Sequence, residues 1–363
     1  MNRIALAFLV PLALTACAPQ EEPAPPPADP PPAATTPEPA PVAAPAPAPA
    51  TGEFVVSADR FADIEVLRYQ IPGFEDMPLS QKKLAYFLSQ AALAGHDIIW
   101  DQNYVHNLRV RKTLAAIIET WPGDRSDPDY QALLTYAKRV WFANGIHHHY
   151  SNRKFEPGFS ESAFREMVAA SEAARLPLDE GMDPAGLIEL LTPVIFDPAV
   201  APQKVNLTPG EDLLVTSATN FYRDVTQAEA EAFYAERINP DDPRPISWGL
   251  NSQLVKEDGE LVERVWRIGG MYGSALEQVA YWLEQAVPVA ENDAQRAWLE
   301  KLIAYYRSGD LSDFDDYNVA WVRDTDSRVD TINGFIEVYG DPLGYRGAWE
   351  SVVSIRDLEA TAR

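Results

Sequence analysis

Five histidines, one cysteine and several paired acids are the residues of this chain best able to do chemistry. Three of the histidines, His147, His148 and His149, are consecutive. Neighbouring side chains point in different directions, and helical ligands need i, i+3 or i+4 spacing. Three in a row therefore cannot all converge on one ion, although a loop can present two of them. The plainer reading is a wet or hydrogen-bonded cluster. His96 follows Gly95, which reads as a helix stop, and a cation there suits the helix dipole. His106 falls early in the next helix. Neither stands at zinc-motif spacing from a glutamate. The chain has no His-Glu-x-x-His, no version one residue longer, no Gly-x-Ser-x-Gly and no phosphate-binding Gly-rich loop ending in Lys-Ser/Thr. Gly269-Gly270 follows a strand but lacks the dinucleotide pattern. Asp241-Asp242 and Asp315-Asp316 are paired acids, but spacing along a chain does not place two carboxylates across a cleft. By these residues alone the sequence declares no reaction.

A late stretch, Asp330 to Gly347, is more informative. Phe335, Ile336, Val338 and Tyr339 favour a strand, with Glu337 alternating among them. Gly340, Asp341, Pro342 and Gly344 then force a turn. One reading is a core strand with its exit loop. The other is a strand whose edge receives an extended peptide, with Asp330 at its mouth holding a positive amino terminus.

The elements around it come next. Ser80 to Gly95, Tyr104 to Thr120 and Asp127 to Ala143 read as helices, the last with Pro128 in its first turn and Asn144-Gly145 at its end. Two more begin at Ser160 and Asp183. Ser247 to Lys256 and Leu261 to Ile268 flank Asp258-Gly259, a strong hairpin signal. Helical patterns return at Ala275 to Glu284, Asn292 to Tyr306 and Asp313 to Trp321, and Trp349 to Ile355 is a further strand. The expected class is α+β, with helices packed on a small β-sheet or barrel-like core.

The totals bound the partners. Net charge is -24. Nucleic acid needs a basic footprint, so the charge argues against it, and equally against electrostatic adhesion to anionic lipid. Cationic partners, such as peptide amino termini, are favoured. The only cysteine is Cys17, so the folded part has no disulfide, thiolate metal site or thiol nucleophile.

Asn2-Arg3 followed by the apolar run Ile4 to Leu14 has the length of a signal h-region. Leu14-Thr15-Ala16-Cys17 matches the bacterial lipoprotein cleavage box. Residues 1–17 therefore read as a lipoprotein signal peptide with Cys17 as the lipidated residue. Ala18 after the cysteine points to the outer membrane, facing the periplasm, in a cell with two membranes. Residues 18–52 are almost entirely proline and alanine with a few acids, a composition that prefers extended polyproline II. At ~3.1 Å per residue this linker reaches roughly 100 Å from the anchor.

Several separated blocks resemble one family, the dipeptidyl peptidase III (M49) zinc metallopeptidases. They are Leu67 to Phe74 with Lys83 to Ser89, Tyr136 to Phe159 with its histidine run, Gly249-Leu250-Asn251-Ser252, and Val329 to Tyr345 with Gly334-Phe335-Ile336-Glu337 and Asp341-Pro342. The likeness spans roughly Phe61 to Arg363 and is closest to the bacterial branch. It implies two lobes around a cleft, one with a barrel-like core. The other is mainly helical and carries a zinc held by His-Glu-x-x-Gly-His and a later glutamate, with the motif's glutamate as general base. It implies a substrate peptide lying extended against a strand, its free amino end held by an acidic residue. Asp330 takes that place here, and Asn333 and Gly334 follow on the same strand as further substrate-binding positions. The zinc motif does not occur in this sequence. The expectation is a first lobe at 53–340 and the truncated start of a second at 341–363. No catalytic or metal residue is assigned, no zinc is expected on this chain, and the chain alone is expected to be inactive. The alternatives are a non-catalytic binder of peptide amino termini and a structural envelope lipoprotein.

Overall fold

Helix α1, Leu79–Asn103, runs unbroken through Gly95, where the sequence suggests a stop. The computed structural model describes residues 54–362, so the signal segment, Cys17 and the Pro/Ala linker lie outside the described residues. The reason α1 continues is packing. Leu84, Leu88, Ala91, Gly95 and Ile98 form one buried stripe, and Gly95 leaves the notch that the Trp349 indole fills. A Cβ at Gly95 would lie 2.0 Å from Trp349 Cζ2. The conformational cost of a mid-helix glycine is offset by that contact. His96 is accordingly mid-helix, its Nε2 3.1 Å from Asn144 Oδ1.

Four helices build a second apolar cluster: α2 (Asn107–Thr120), α3 (Pro128–Ala143), α4 (Glu161–Ala170) and α5 (Pro184–Phe196). Their starts follow local cap chemistry. Asp127, Ser160 and Asp183 each accept a main-chain N–H from the first turn, as the sequence indicates. α3 ends on left-handed Asn144, as read, and α2 starts three residues later than expected, with His106 before it. Ile117, Leu133, Val140, Phe164, Leu187 and Leu191 are buried together.

A first hairpin, β1 (Ser57–Phe61) with β2 (Ile64–Leu67), is unforeseen because its strands are short and lie largely exposed. It is tied to α3 by Lys138–Asp59 at 2.7 Å and Arg139–Asp63 at 2.8 Å. Strand β3 (Tyr222–Arg223) and helix α6 (Gln227–Ala235) follow. The expected hairpin is present as β4 (Ser252–Glu257) and β5 (Glu260–Val265), turning on Asp258 and Gly259, both at positive φ. β3 adds to β4 in parallel. Helices α7 (Gly273–Ala286), α8 (Asp293–Ser308) and α9 (Leu311–Arg323) lead to the long antiparallel pair β6 (Val329–Glu337) and β7 (Ala348–Ile355). A last short helix, α10 (Leu358–Thr361), is capped by Asp357.

The α+β class is as expected. The sheets are three small ladders of two, three and two strands, and among the described residues no barrel closes. Val55–Arg363 cluster as one compact unit. Its main core joins α1, α7 and α8 to β6 and β7 through Trp298, Tyr305, Tyr306, Phe335 and Trp349. No helix among the described residues is long and apolar enough to cross a membrane.

Gly95→Ala tests the α1 packing by its sign. In an exposed helix the change stabilises by about 1 kcal/mol. Here the clash with Trp349 is expected to destabilise by roughly 1–3 kcal/mol in urea unfolding, with part of the loss recovered by Trp349→Leu.

Candidate functional site

The block from β6 to β7 is held by a buried polar network in its turn. Asp341 is 4% exposed. Its carboxylate accepts the N–H groups of Leu343, Tyr345 and Arg346 at 2.9, 2.9 and 2.8 Å, and the Tyr222 hydroxyl at 2.8 Å. Proline and glycine thus begin the turn, and one carboxylate closes it. Arg346 is fully buried. It donates to the Tyr222 hydroxyl at 2.8 Å and the Tyr234 hydroxyl at 2.5 Å, and its guanidinium lies over both rings. Tyr234 passes the polarity on by donating to Glu263 at 2.6 Å, and Ser252 donates to the same oxygen at 2.7 Å. Burial is the first cause that raises both tyrosine hydroxyls above the usual phenol range. They therefore stay protonated and can donate to the carboxylates while accepting from Arg346. Sequence reasoning missed Arg346, Tyr234 and Glu263, which lie in different elements.

β6 has two unlike faces. Val329, Thr331, Asn333 and Phe335 are buried, while Asp330, Ile332 and Ile336 are half-buried. Asp330 sits at the strand's start. Its Oδ1 accepts the Trp321 indole N–H at 2.9 Å and the Thr331 N–H at 2.8 Å. Among the described residues its Oδ2 has no hydrogen bond, so the side chain is oriented with one oxygen in reserve. Asn333 lies on the other face and is 0% exposed. Its Oδ1 accepts the Tyr306 hydroxyl at 2.5 Å and its Nδ2 donates to Ser351 Oγ at 2.9 Å. Gly334 is buried opposite Glu350 with φ at +151°, a backbone suited to glycine. Of the three substrate-binding positions expected from the sequence, only Asp330 presents its side chain toward solvent. The edge of β6 away from β7 is also engaged where it begins. Val329 N–H donates to Glu291 at 2.7 Å, and Val329 C=O accepts from Gln295 at 2.8 Å.

The histidine run does not make a metal centre. His147 is buried, and its Nε2 lies 2.8 Å from the Ala201 carbonyl. Burial, opposed by that carbonyl and helped by Lys204 and Lys154, holds its pKa down to about 4. His148 Nδ1 accepts the N–H groups of Tyr150 and Ser151. Its ring stacks on His149 with centroids 4.4 Å apart. Among the described residues no three histidine, cysteine or acidic side chains are grouped to hold a metal, so these residues do not fit a zinc ion. A cavity of about 930 Å³ lies apart from Asp330, between Tyr104 and the segment around Asn206, Glu211, Tyr222 and Arg223.

Residues 251–363, which contain β4 to β7, match the family model of Peptidase family M49. The chain resembles dipeptidyl peptidase III. Dipeptidyl peptidase 3 of Homo sapiens is 23% identical over 332 residues, covering 80% of this chain and 44% of that protein. Dipeptidyl peptidase 3 of Dictyostelium discoideum is 37% identical over 94 residues, 26% of this chain and 14% of that protein. The solved structure of DPP III from Caldithrix abyssi superposes with a TM-score of 0.52 at 19% identity, over 80% of this chain and 42% of that one. Dipeptidyl-peptidase III from Corallococcus sp. strain EGB gives 0.51 at 20% identity, over 81% and 42%. At such identities the solved structures establish a shared fold. The chain spans less than half the length of these relatives. The segment resembling dipeptidyl peptidase III includes Asp330, Asp341, Arg346 and Glu263.

Removing the buried cation leaves Glu263 and Asp341 without compensation. Arg346→Met is expected to cost about 3–5 kcal/mol in equilibrium unfolding. Arg346→Lys should recover little of it, since a single ammonium cannot reproduce the guanidinium fork between two hydroxyls. A Met variant within about 1 kcal/mol of wild type would show the network to be incidental.

Proposed function

We propose that this chain grips the free amino end of short peptides as part of a zinc-dependent dipeptidyl peptidase of the M49 type. The observation that carries the reading is Asp330. It is a half-exposed carboxylate at the mouth of β6, aimed by Trp321 and its own backbone, with one oxygen uncommitted. A peptide's terminal ammonium is largely charged at neutral pH and would be met there by a charge-assisted hydrogen bond. Support comes from the match of this block to the M49 model, from relatives called dipeptidyl peptidase, and from a net charge of -24, which draws cations. Zinc in such enzymes supplies a Lewis acid and an activated water. The described residues do not fit it, so no bond-breaking step is assigned to them. The expected behaviour of these 363 residues alone is peptide binding without cleavage.

Calorimetry with tetra-alanine and its N-acetylated form tests this. Wild type should bind the free peptide roughly tenfold or more tightly than the acetylated one, with the difference lost in Asp330→Asn. Equal heats for both peptides would remove the reading. Dipeptide release by the purified chain would show that binding without cleavage is wrong.

The address belongs to the same proposal. The Leu14-Thr15-Ala16-Cys17 box supports a lipid-anchored envelope protein on the periplasmic side of an outer membrane. Metabolic labelling with an alkyne fatty acid in a two-membrane bacterial host should mark the wild type and miss Cys17→Ala, which should move to the soluble fraction. Labelling that survives the substitution would sink the anchor.

A further inference from the structure

Gly249, Asn251 and Ser252, from a sequence block that peptide binding at Asp330 does not use, line a cavity of about 390 Å³. Glu263, Val265 and Arg267 line it too, at alternate positions along and just beyond β5, as does the turn from α8 to α9. The cavity thus holds a carboxylate and a guanidinium, and the two do not meet. Among the described residues neither Glu263 nor Arg267 forms a salt bridge. In the cavity beside α2, by contrast, Arg109 and Asp179 close on each other at 2.6 Å. Glu263 and Arg267 are each held by other contacts. Glu263 accepts the hydroxyls of Tyr234 and Ser252 on Oε1, and among the described residues its Oε2 has no hydrogen bond. The stem of Arg267 lies across Gly309 so closely that a Cβ there would fall 2.9 Å from its Cδ. Its guanidinium makes one long contact, 3.4 Å to the Ile268 carbonyl. Extended chain sets the Cα atoms of Glu263 and Arg267 roughly 13 Å apart, room for a short molecule between the two charges. The cavity's other carboxylate, Asp310, is committed to capping α9, where it accepts the N–H and hydroxyl of Ser312. Trp248, exposed at the cavity, gives it an apolar side together with Leu311.

We propose that this cavity binds a small zwitterion of dipeptide length, its ammonium on Glu263 and its carboxylate on Arg267. One molecule carrying both charges answers both groups at once, and a guanidinium fork suits a carboxylate with two parallel hydrogen bonds. Trp248 and Leu311 take a side chain. The site is independent of Asp330. α8 lies between them: Gln295 in its first turn donates to Val329, and Gly309 ends it, roughly 20 Å further along the helix axis.

The test is calorimetry with L-alanyl-L-leucine on the full chain carrying Asp330→Asn, so that the amino-end site is silent. The dipeptide is expected to bind roughly tenfold or more tightly than its C-terminal amide and than its N-acetylated form. Arg267→Gln in the same protein should bring the dipeptide down to the level of its amide. Arg267 is exposed and lies outside the Arg346 network, so this variant should melt where its parent does. Equal affinity for acid and amide would overturn the proposal. So would an Arg267→Gln protein that binds the dipeptide as its parent does, or no binding at millimolar dipeptide. Because Asp330 is already neutralised, none of these failures counts against the amino-end reading.

Discussion

A single buried cation, Arg346, sets the geometry of everything between β6 and β7. Burying a guanidinium is tolerable only where its donors and its charge are both answered. Two tyrosine hydroxyls answer the donors, and Asp341 and Glu263 answer the charge, Asp341 at 4.0 Å and Glu263 through Tyr234. Each partner comes from a different part of the fold. Tyr222 is in β3, Tyr234 in α6, Glu263 in β5, and Asp341 in the turn itself. The network therefore fastens the three-stranded ladder to the β6–β7 ladder without a continuous sheet. It also explains a turn of such local irregularity in a buried place: its main-chain N–H groups are spent on Asp341.

How much of this could be read from the chain depends on the range of each interaction. Cap residues act within four positions, so Asp127, Ser160 and Asp183 were legible, as was the Asp258-Gly259 turn. The capping box of Thr226 and Glu229 was equally local and marks α6, an element that went unread although its signal was present. Gly95 misled for the opposite reason. A glycine after an apolar stripe looks like a stop, and only Trp349, far along the chain, shows it to be a notch. β1 and β2 are only five and four residues long, lie largely exposed and are held by ion pairs to α3, so periodicity had little length to report on. At the site, Asp330 was legible as an acid opening a strand. Arg346 was not, because a lone arginine in a turn carries no sign of the tyrosines it will meet. Asn333 was read as a contact for substrate. Its neighbour Tyr306 needed a partner in the core, and Asn333 supplies it.

That assignment of Asn333 has a consequence for where recognition can occur. Polar groups on the buried face of β6 tie it to the helix beside it: Glu291 and Gln295 at Val329, and Tyr306 at Asn333. The last two of these lie on α8, which therefore accompanies the strand from its start to its middle. β7 pairs along the opposite edge, and on the edge away from it Val329 is already engaged at the start of the strand. The half-buried face carries Asp330 and Ile332, with Val352 across the ladder. In the proposed reading, selectivity on this surface would draw on a fixed carboxylate direction. The Trp321 indole supplies that direction, occupying one oxygen so that the other cannot rotate away. In the proposed reading an amino end would be met there by charge and position, with Ile332 and Val352 beside it.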